Sequence, residues 1–266
     1  MNAITANTSP ATARQVIRSG GWPRITTGLC AGHVQANLVV LPRDSATEFT
    51  EFCRANPKPL PLLEVADAPD RLRTAPGADL RTDLPKYHVH RSGEVSEVDD
   101  VREVWRDDLV AFLLGCSFSA EERLLAAGVR LRHLELGQGV PIFRASLRCR
   151  EIGRFRGPLV VSMRAVRETE VARAVEVTGE LPFAHGAPVH VGDPEAIGIT
   201  DLARPDWGDA LPLQDGEVPV FWACGVTPQA VLAEVRPELA ITHAPAHMFL
   251  TDLQVADLIE RGVEEA

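Results

Sequence analysis

Four short stretches of the chain gather side chains able to bind an anion or move a proton. In Cys224-Gly225-Val226-Thr227-Pro228-Gln229 an apolar run stops at a thiol and a glycine, and a helix is expected to start at once. Free N–H groups and the dipole at such a start favour a carboxylate and lower the pKa of a nearby thiol, while Gly225 allows close approach of backbone. Gly115-Cys116-Ser117-Phe118-Ser119 places a thiol and two hydroxyls on a bend. With Ser119 expected to act as a helix cap, Cys116 and Ser117 remain for chemistry. The stretch from His185 to Asp193 holds His185, His190 and Asp193 among glycines and a proline, and a histidine with a carboxylate suits acid–base work near neutral pH. His243 and His247 flank Pro245. Their i, i+4 spacing would suit a metal on a helix, but proline opposes helix there, and an extended chain holds them roughly 13 Å apart. No metal is therefore expected, and both histidines are read as catalytic, substrate-binding or structural. Arg164, after the apolar run 159–163, can grip a carboxylate through two parallel hydrogen bonds or form a structural ion pair.

The elements that must position these groups alternate between strand and helix. Ser9 and Pro10 predict a helix ending at Gly20 and Gly21. Residues 38–41 read as a strand buried in a parallel sheet, residues 46–53 as a helix capped by Asp44, and residues 62–65 as a second strand, a βαβ signal. Residues 86–90 are a further strand candidate. Residues 109–114 read as a buried helix, and the pattern Ser119-Ala120-Glu121-Glu122 predicts another over 120–127. Strands follow at 140–147, 159–163 and 189–191, with a helix over 168–177. A strand at 218–223, a helix from Thr227 to about residue 235, a strand at 241–243 and a helix over 252–261 complete the chain. The units near 218–250 are expected to share a sheet with residues 38–65, and the chemical stretches to meet in one cleft.

Composition narrows the function. The chain has 266 residues, 45% hydrophobic and 24% charged, which is ordinary for a globular enzyme. A formal net charge of −10, with no block of basic residues, argues against nucleic acid. No apolar stretch approaches the ~20 residues that span a bilayer, and residues 1–10 do not resemble a secretory signal. Five cysteines with no C-x-x-C pair suit a reducing cytoplasm. The sequence contains no G-x-G-x-x-G, Walker-type or G-x-S-x-G motif, so no cofactor is expected.

The same stretches carry a family resemblance. Together with residues 34–38, 160–164 and 221–223 they resemble signatures of the bacterial hydro-lyases related to D-glutamate cyclase, over roughly residues 14–252. Ala246 stands where that pattern has glycine, and Ala165 where it has proline. The resemblance implies an α/β fold of two lobes, a three-layer α/β sandwich and a smaller two-layer α+β lobe at about 110–185, within one family domain spanning 1–266. It implies a dehydration, with D-glutamate closing to 5-oxo-D-proline as the example. In that reaction Arg164 and the helix start at Thr227 would hold carboxylates. His190 or His243 would move protons, with Asp193 orienting an imidazole, and Cys116 or Cys224 could carry an acyl group. Ser117, His185, Gly225 and His247 join the expected substrate contacts. The expected partners are a small carboxylate and further copies of the chain. A thiol-dependent amidase and a non-catalytic carboxylate-binding protein are the alternatives.

Overall fold

Strand β1 (His33–Pro42) is buried along nearly its whole length. Leu38 and Val40 enter one hydrophobic core while Val39 and Leu41 enter another, as a strand covered on both faces requires. In this computed structural model, which describes residues 4–261, β1 organises the larger of two sheets. Helix α1 (Pro10–Arg18) precedes it, with the Ser9 side chain accepting a hydrogen bond from the Thr12 N–H as predicted. Helix α2 (Arg43–Ala55) follows Pro42 directly. Asp44 lies in the first turn of α2 rather than at its cap, and its carboxylate accepts from the Ser45 hydroxyl.

Strands β2 (Leu62–Ala66), β3 (Tyr87–Arg91), β4 (Glu94–Val98) and β5 (Leu109–Gly115) come next. The last corrects the sequence reading, which expects a helix over 109–114. A short, uniformly apolar run has no periodicity to separate strand from buried helix, and here pairing decides. β5 lies inside the sheet between β1 and the edge strand β2, in register with β1 from Ala36↔Gly115 to Pro42↔Leu109 and paired with β2 on its other side. Both pairings are antiparallel. β1 and β2 therefore run in the same direction, as a βαβ unit does, but with an antiparallel strand inserted between them. The parallel sheet expected around residues 38–41 is thus replaced by an antiparallel one.

The turn Ser117–Ala120, helix α3 (Glu121–Ala126) and helix α4 (Arg132–Leu136) lead to the second sheet. Ser119 does not cap α3, because its hydroxyl accepts from the Gln35 N–H on β1. Strands β6 (Ile142–Arg148), β7 (Pro158–Arg167), β8 (His190–Val191) and β9 (Glu217–Ala223) form a four-stranded sheet in the order β6-β7-β9-β8. Helix α5 (Val171–Gly179) packs on it beside α3. Helix α6 (Thr227–Val235), strands β10 (Ala240–His243) and β11 (Phe249–Gln254), and helix α7 (Val255–Arg261) close the described chain. Residues 252–254 are thus the end of a strand, although the sequence predicts that the last helix starts at Asp252. Thr251 donates its hydroxyl to the Val34 carbonyl, and β11 pairs along the same edge of β1 that β10 uses further on.

The fold is α/β with two lobes, and α6 joins them. β9 belongs to the smaller sheet and β10 to the larger, so the units near 218–250 are divided between sheets instead of sharing one. Residues 227–232 of α6 are all buried. Val231 and Leu232 pack into the core beneath α2 and the larger sheet, while Ala230 packs against Val160 of the smaller one. A helix whose first six residues are all buried needs such double cover. Its N-terminus consequently opens where the two sheets meet.

Candidate active site

At that junction lies a cavity of about 260 Å³. Its lining includes Asn37 from the middle of β1, Cys116 and Ser117 after β5, Ser162 from the middle of β7, Cys224 and Gly225 before α6, and His243 at the end of β10. Gly225 is required here, since a Cβ would overlap the Asn37 amide. Gly115 is required too, because a Cβ would overlap the Phe183 carbonyl oxygen. Asn37 Nδ2 in turn donates to the Gly115 carbonyl at 2.6 Å, tying the two glycine corners together.

Of the residues the sequence singles out, Cys116, Ser117, Cys224, Gly225 and His243 line this one cavity. His243 is 1% exposed. Its Nδ1 meets the Leu38 backbone, 3.2 Å from the N–H and 3.3 Å from the carbonyl, and its Nε2 is buried without a partner among the described residues. Burial lowers its pKa to about 4, so the ring is neutral at pH 7. If Nδ1 donates to the carbonyl, Nε2 offers a lone pair; if Nδ1 accepts, Nε2 offers a proton. Burial pushes the Cys224 thiol up to about 11 against the opposing N–H groups of Val226 and Gly225. The Cys116 thiol is raised further by burial, with the Phe118 N–H opposing. Both thiols are therefore protonated at neutral pH. All five cysteines are free and buried.

Arg164 stands behind the cavity wall. Its Nη2 donates to Glu121 at 2.7 Å and to Ser117 Oγ at 3.3 Å, its Nη1 donates to Ser162 Oγ at 3.3 Å, and the Trp222 ring centre lies 5.4 Å from the guanidinium. The other side of Glu121 Oε1 meets His133 Nε2 at 3.0 Å. Burial alone would raise the Glu121 carboxyl, but the His133 hydrogen bond and the Arg164 charge hold it below the usual carboxylate range. Arg164 thus forms a buried ion pair with Glu121. Thr227 is likewise engaged, its hydroxyl accepting from the Val160 N–H at 3.1 Å; it lies inside α6, whose cap position is Val226.

The remaining candidates lie outside the lining. His185 is buried, with Nδ1 2.8 Å from the Lys58 carbonyl and Nε2 without a partner; burial lowers its pKa to about 4. His190 sits on the edge strand β8 against Phe221, with Nε2 2.6 Å from the Asp193 carbonyl oxygen. The Asp193 carboxylate does not face that ring, since it accepts from the Glu195 N–H and caps a short turn. His247 Nδ1 is 2.9 Å from the Pro245 carbonyl, and the ring is half-buried. Among the described residues no group of three or more His, Cys, Asp or Glu is placed to hold a metal ion, and no helix is long and apolar enough to cross a membrane. Asn37, Ser162, Glu121 and His133 escaped the sequence reading. Asn37 and Ser162 carry a usable signal, each being a polar residue inside a fully buried apolar strand.

Comparison with known proteins gives a consistent result. The D-glutamate cyclase family model matches residues 110–252, which include every cavity-lining residue named above except Asn37. A protein of Stutzerimonas stutzeri provisionally named a hydro-lyase is 55% identical over 92% of this chain and 94% of its own length. A similarly named protein of Rubrobacter xylanophilus is 56% identical over 93% of this chain and 96% of its own. One from Geobacillus kaustophilus is 52% identical over 91% and 93%. Among solved structures, a nitrogen repressor-like protein of Methanococcus jannaschii aligns over 96% of this chain at 11% identity with a TM-score of 0.42.

Proposed function

We propose that this chain, which belongs to the D-glutamate cyclase family, is a hydro-lyase that removes water from a small carboxylate, with ring closure of D-glutamate to 5-oxo-D-proline as the specific reaction. The observation that carries the reading is His243, a neutral buried imidazole with an unspent Nε2, in the wall of a small cavity at the junction of the two sheets. A cavity of about 260 Å³ is close to the lower end of the ~300–1,000 Å³ range of ligand pockets, which suits a metabolite of a few carbons.

The chemistry needs a proton acceptor, a proton donor and a way to hold the reacting ends together. The α-nitrogen attacks the γ-carboxyl carbon, a C–N bond forms, a C–O bond breaks, and the lost oxygen leaves as water. The ammonium group of the substrate loses two protons and the departing carboxylate oxygen gains both before it leaves as water; His243 relays them one at a time through Nε2. With burial holding its pKa at about 4, the ring carries no proton at neutral pH and begins as the base. Cys116 and Cys224, protonated at that pH, act as S–H donors beside the developing charge instead of as standing nucleophiles. Holding nitrogen and carboxyl in contact within so small a space supplies much of the acceleration expected of an intramolecular closure.

The test incubates the pure protein with each glutamate enantiomer and with 5-oxoproline, and follows both directions by chromatography. Conversion of the D-enantiomer with His243-dependent turnover supports the reading. Absence of conversion in both directions removes the cyclase assignment. Turnover abolished by thiol alkylation, on amides but not on glutamate, would point to a thiol-dependent amidase.

A further inference from the structure

Ser117 and Ser162 reach the cavity from different sheets, one from the turn after β5 and the other from the middle of β7. They are 7% and 2% exposed. Arg164 lies two residues beyond Ser162 on the same face of β7 and donates to both hydroxyl oxygens. A guanidinium has donors only, so each serine oxygen meets it as an acceptor. Each hydroxyl still carries one proton. Among the described residues neither serine hydroxyl donates a hydrogen bond; each makes a side-chain hydrogen bond only as the acceptor from Arg164. Two buried O–H donors are therefore left unspent beside the same cavity, and unspent buried donors are costly.

We propose that Ser117 and Ser162 form a two-hydroxyl clamp for one carboxylate group of the ligand, with Arg164, Glu121 and His133 as positioning residues behind it. The proposal rests on the small-carboxylate reading of the cavity and extends it to a selectivity. The guanidinium sets the polarity of the clamp, because it takes a lone pair on each serine oxygen from behind and so turns both hydroxyl protons forward, towards the cavity. The two oxygens of a carboxylate accept two such protons, and the cation behind the wall favours the negative charge. The NH₂ of a primary amide would bring its own protons against them. Glu121 gives the arrangement its rigidity. It holds Nη2 at 2.7 Å and is itself held by His133, so the guanidinium stays behind the serines rather than swinging forward to pair directly with the ligand.

The probes are glutarate, which offers carboxylates without a reactive nitrogen, and glutaramide, its neutral counterpart. Affinity for each is measured by calorimetry on the full chain and on Ser117→Ala, Ser162→Ala, Ser162→Thr and Glu121→Gln. The wild-type protein should bind glutarate at least about 10-fold more tightly than glutaramide. Each serine-to-alanine change should weaken glutarate about 10- to 100-fold, the range for a hydrogen bond to a charged group, while glutaramide binding stays unchanged. Ser162→Thr keeps a hydroxyl and should keep the preference. Glu121→Gln should shrink the ratio of the two affinities, a readout that mere loss of stability would not move selectively. Equal binding of the two probes by the wild type, no binding of glutarate, or an unchanged ratio in both alanine variants overturns the clamp. Turnover of glutamate is scored separately: selective glutarate binding without conversion removes the cyclase reaction and leaves the clamp standing.

Discussion

Acid should weaken this protein in a window set by histidines, above the range where carboxylates titrate. His90, His185 and His243 each have a pKa lowered to about 4, in every case chiefly by burial. For His90 the nearby His88 adds to the lowering; for His185 the charges of Arg164 and Lys58 do, and for His243 the surrounding histidines do, with a backbone hydrogen bond opposing in the last two. In the unfolded chain a histidine titrates near ~6.5. As pH falls from there the unfolded state binds protons that the folded state refuses, so stability is present above ~6.5 and is lost towards about 4. The displacement of roughly 2.5 units corresponds to about 3 kcal/mol per histidine once the loss is complete. About 2 kcal/mol of that falls between pH 7 and pH 5, hence about 6 kcal/mol for the three together, against a typical total of ~5–15 kcal/mol. Glu121, whose carboxyl is held low, adds to the loss in the same direction but at lower pH, since its stabilisation is present above the ordinary glutamate pKa of ~4.3 and falls away below it. Urea unfolding at pH 8, 7, 6 and 5, followed by ellipticity, measures the slope. Replacing one of these histidines by glutamine should remove about a third of the pH 7 to pH 5 difference, whatever it does to stability at pH 8. A stability that changes by less than ~1 kcal/mol between pH 7 and pH 5, or a slope untouched by the replacements, would refute the reasoning.

Three substitutions test other parts of the structure. Ala246 has φ 65, in the left-handed region, so Ala246→Gly should stabilise the fold by up to about 1 kcal/mol in urea unfolding, with no gain if that strain is absent. Gly115→Ala drives a Cβ into the Phe183 carbonyl at the end of a fully buried strand and should cost about 3 kcal/mol or more, seen as a lowered unfolding midpoint. His243→Asn should lower turnover about 100-fold or more while the far-ultraviolet spectrum and unfolding cooperativity at pH 8 stay intact; undiminished turnover would move the proton-transfer role to another residue.

Local chemistry made much of the chain readable. The alternation of apolar runs with capped helices placed α1, β1, α2, β2, β7 and α6 close to where they lie, because caps, prolines and buried strands act over a few residues. The junction of β9 and α6 was likewise visible, and with it Cys224 and Gly225. β5 was not, since the seven residues of Leu109–Gly115 are apolar at every position and only the strands on either side distinguish strand from helix. The glycine expected at Ala246 and the left-handed backbone found there agree, which shows how far a backbone demand can be read without coordinates.

What the sequence could determine was the supply of reactive groups; which of them face one another was left to packing. Cys116 and Cys224 are 108 positions apart and share a cavity because β5 and α6 both end at the junction of the sheets. His190 and Asp193 are three positions apart and do not act as a pair, because the Asp193 carboxylate turns to cap its own chain. Arg164 looked free to bind a substrate only while Glu121, 43 positions earlier, was out of view. Charges and hydroxyls are satisfied by whatever folding brings within about 3 Å, and that distance has no counterpart along the chain. The motifs along the chain carry the family and most of the elements, whereas packing leaves His243 with an unspent nitrogen and two serines with unspent protons.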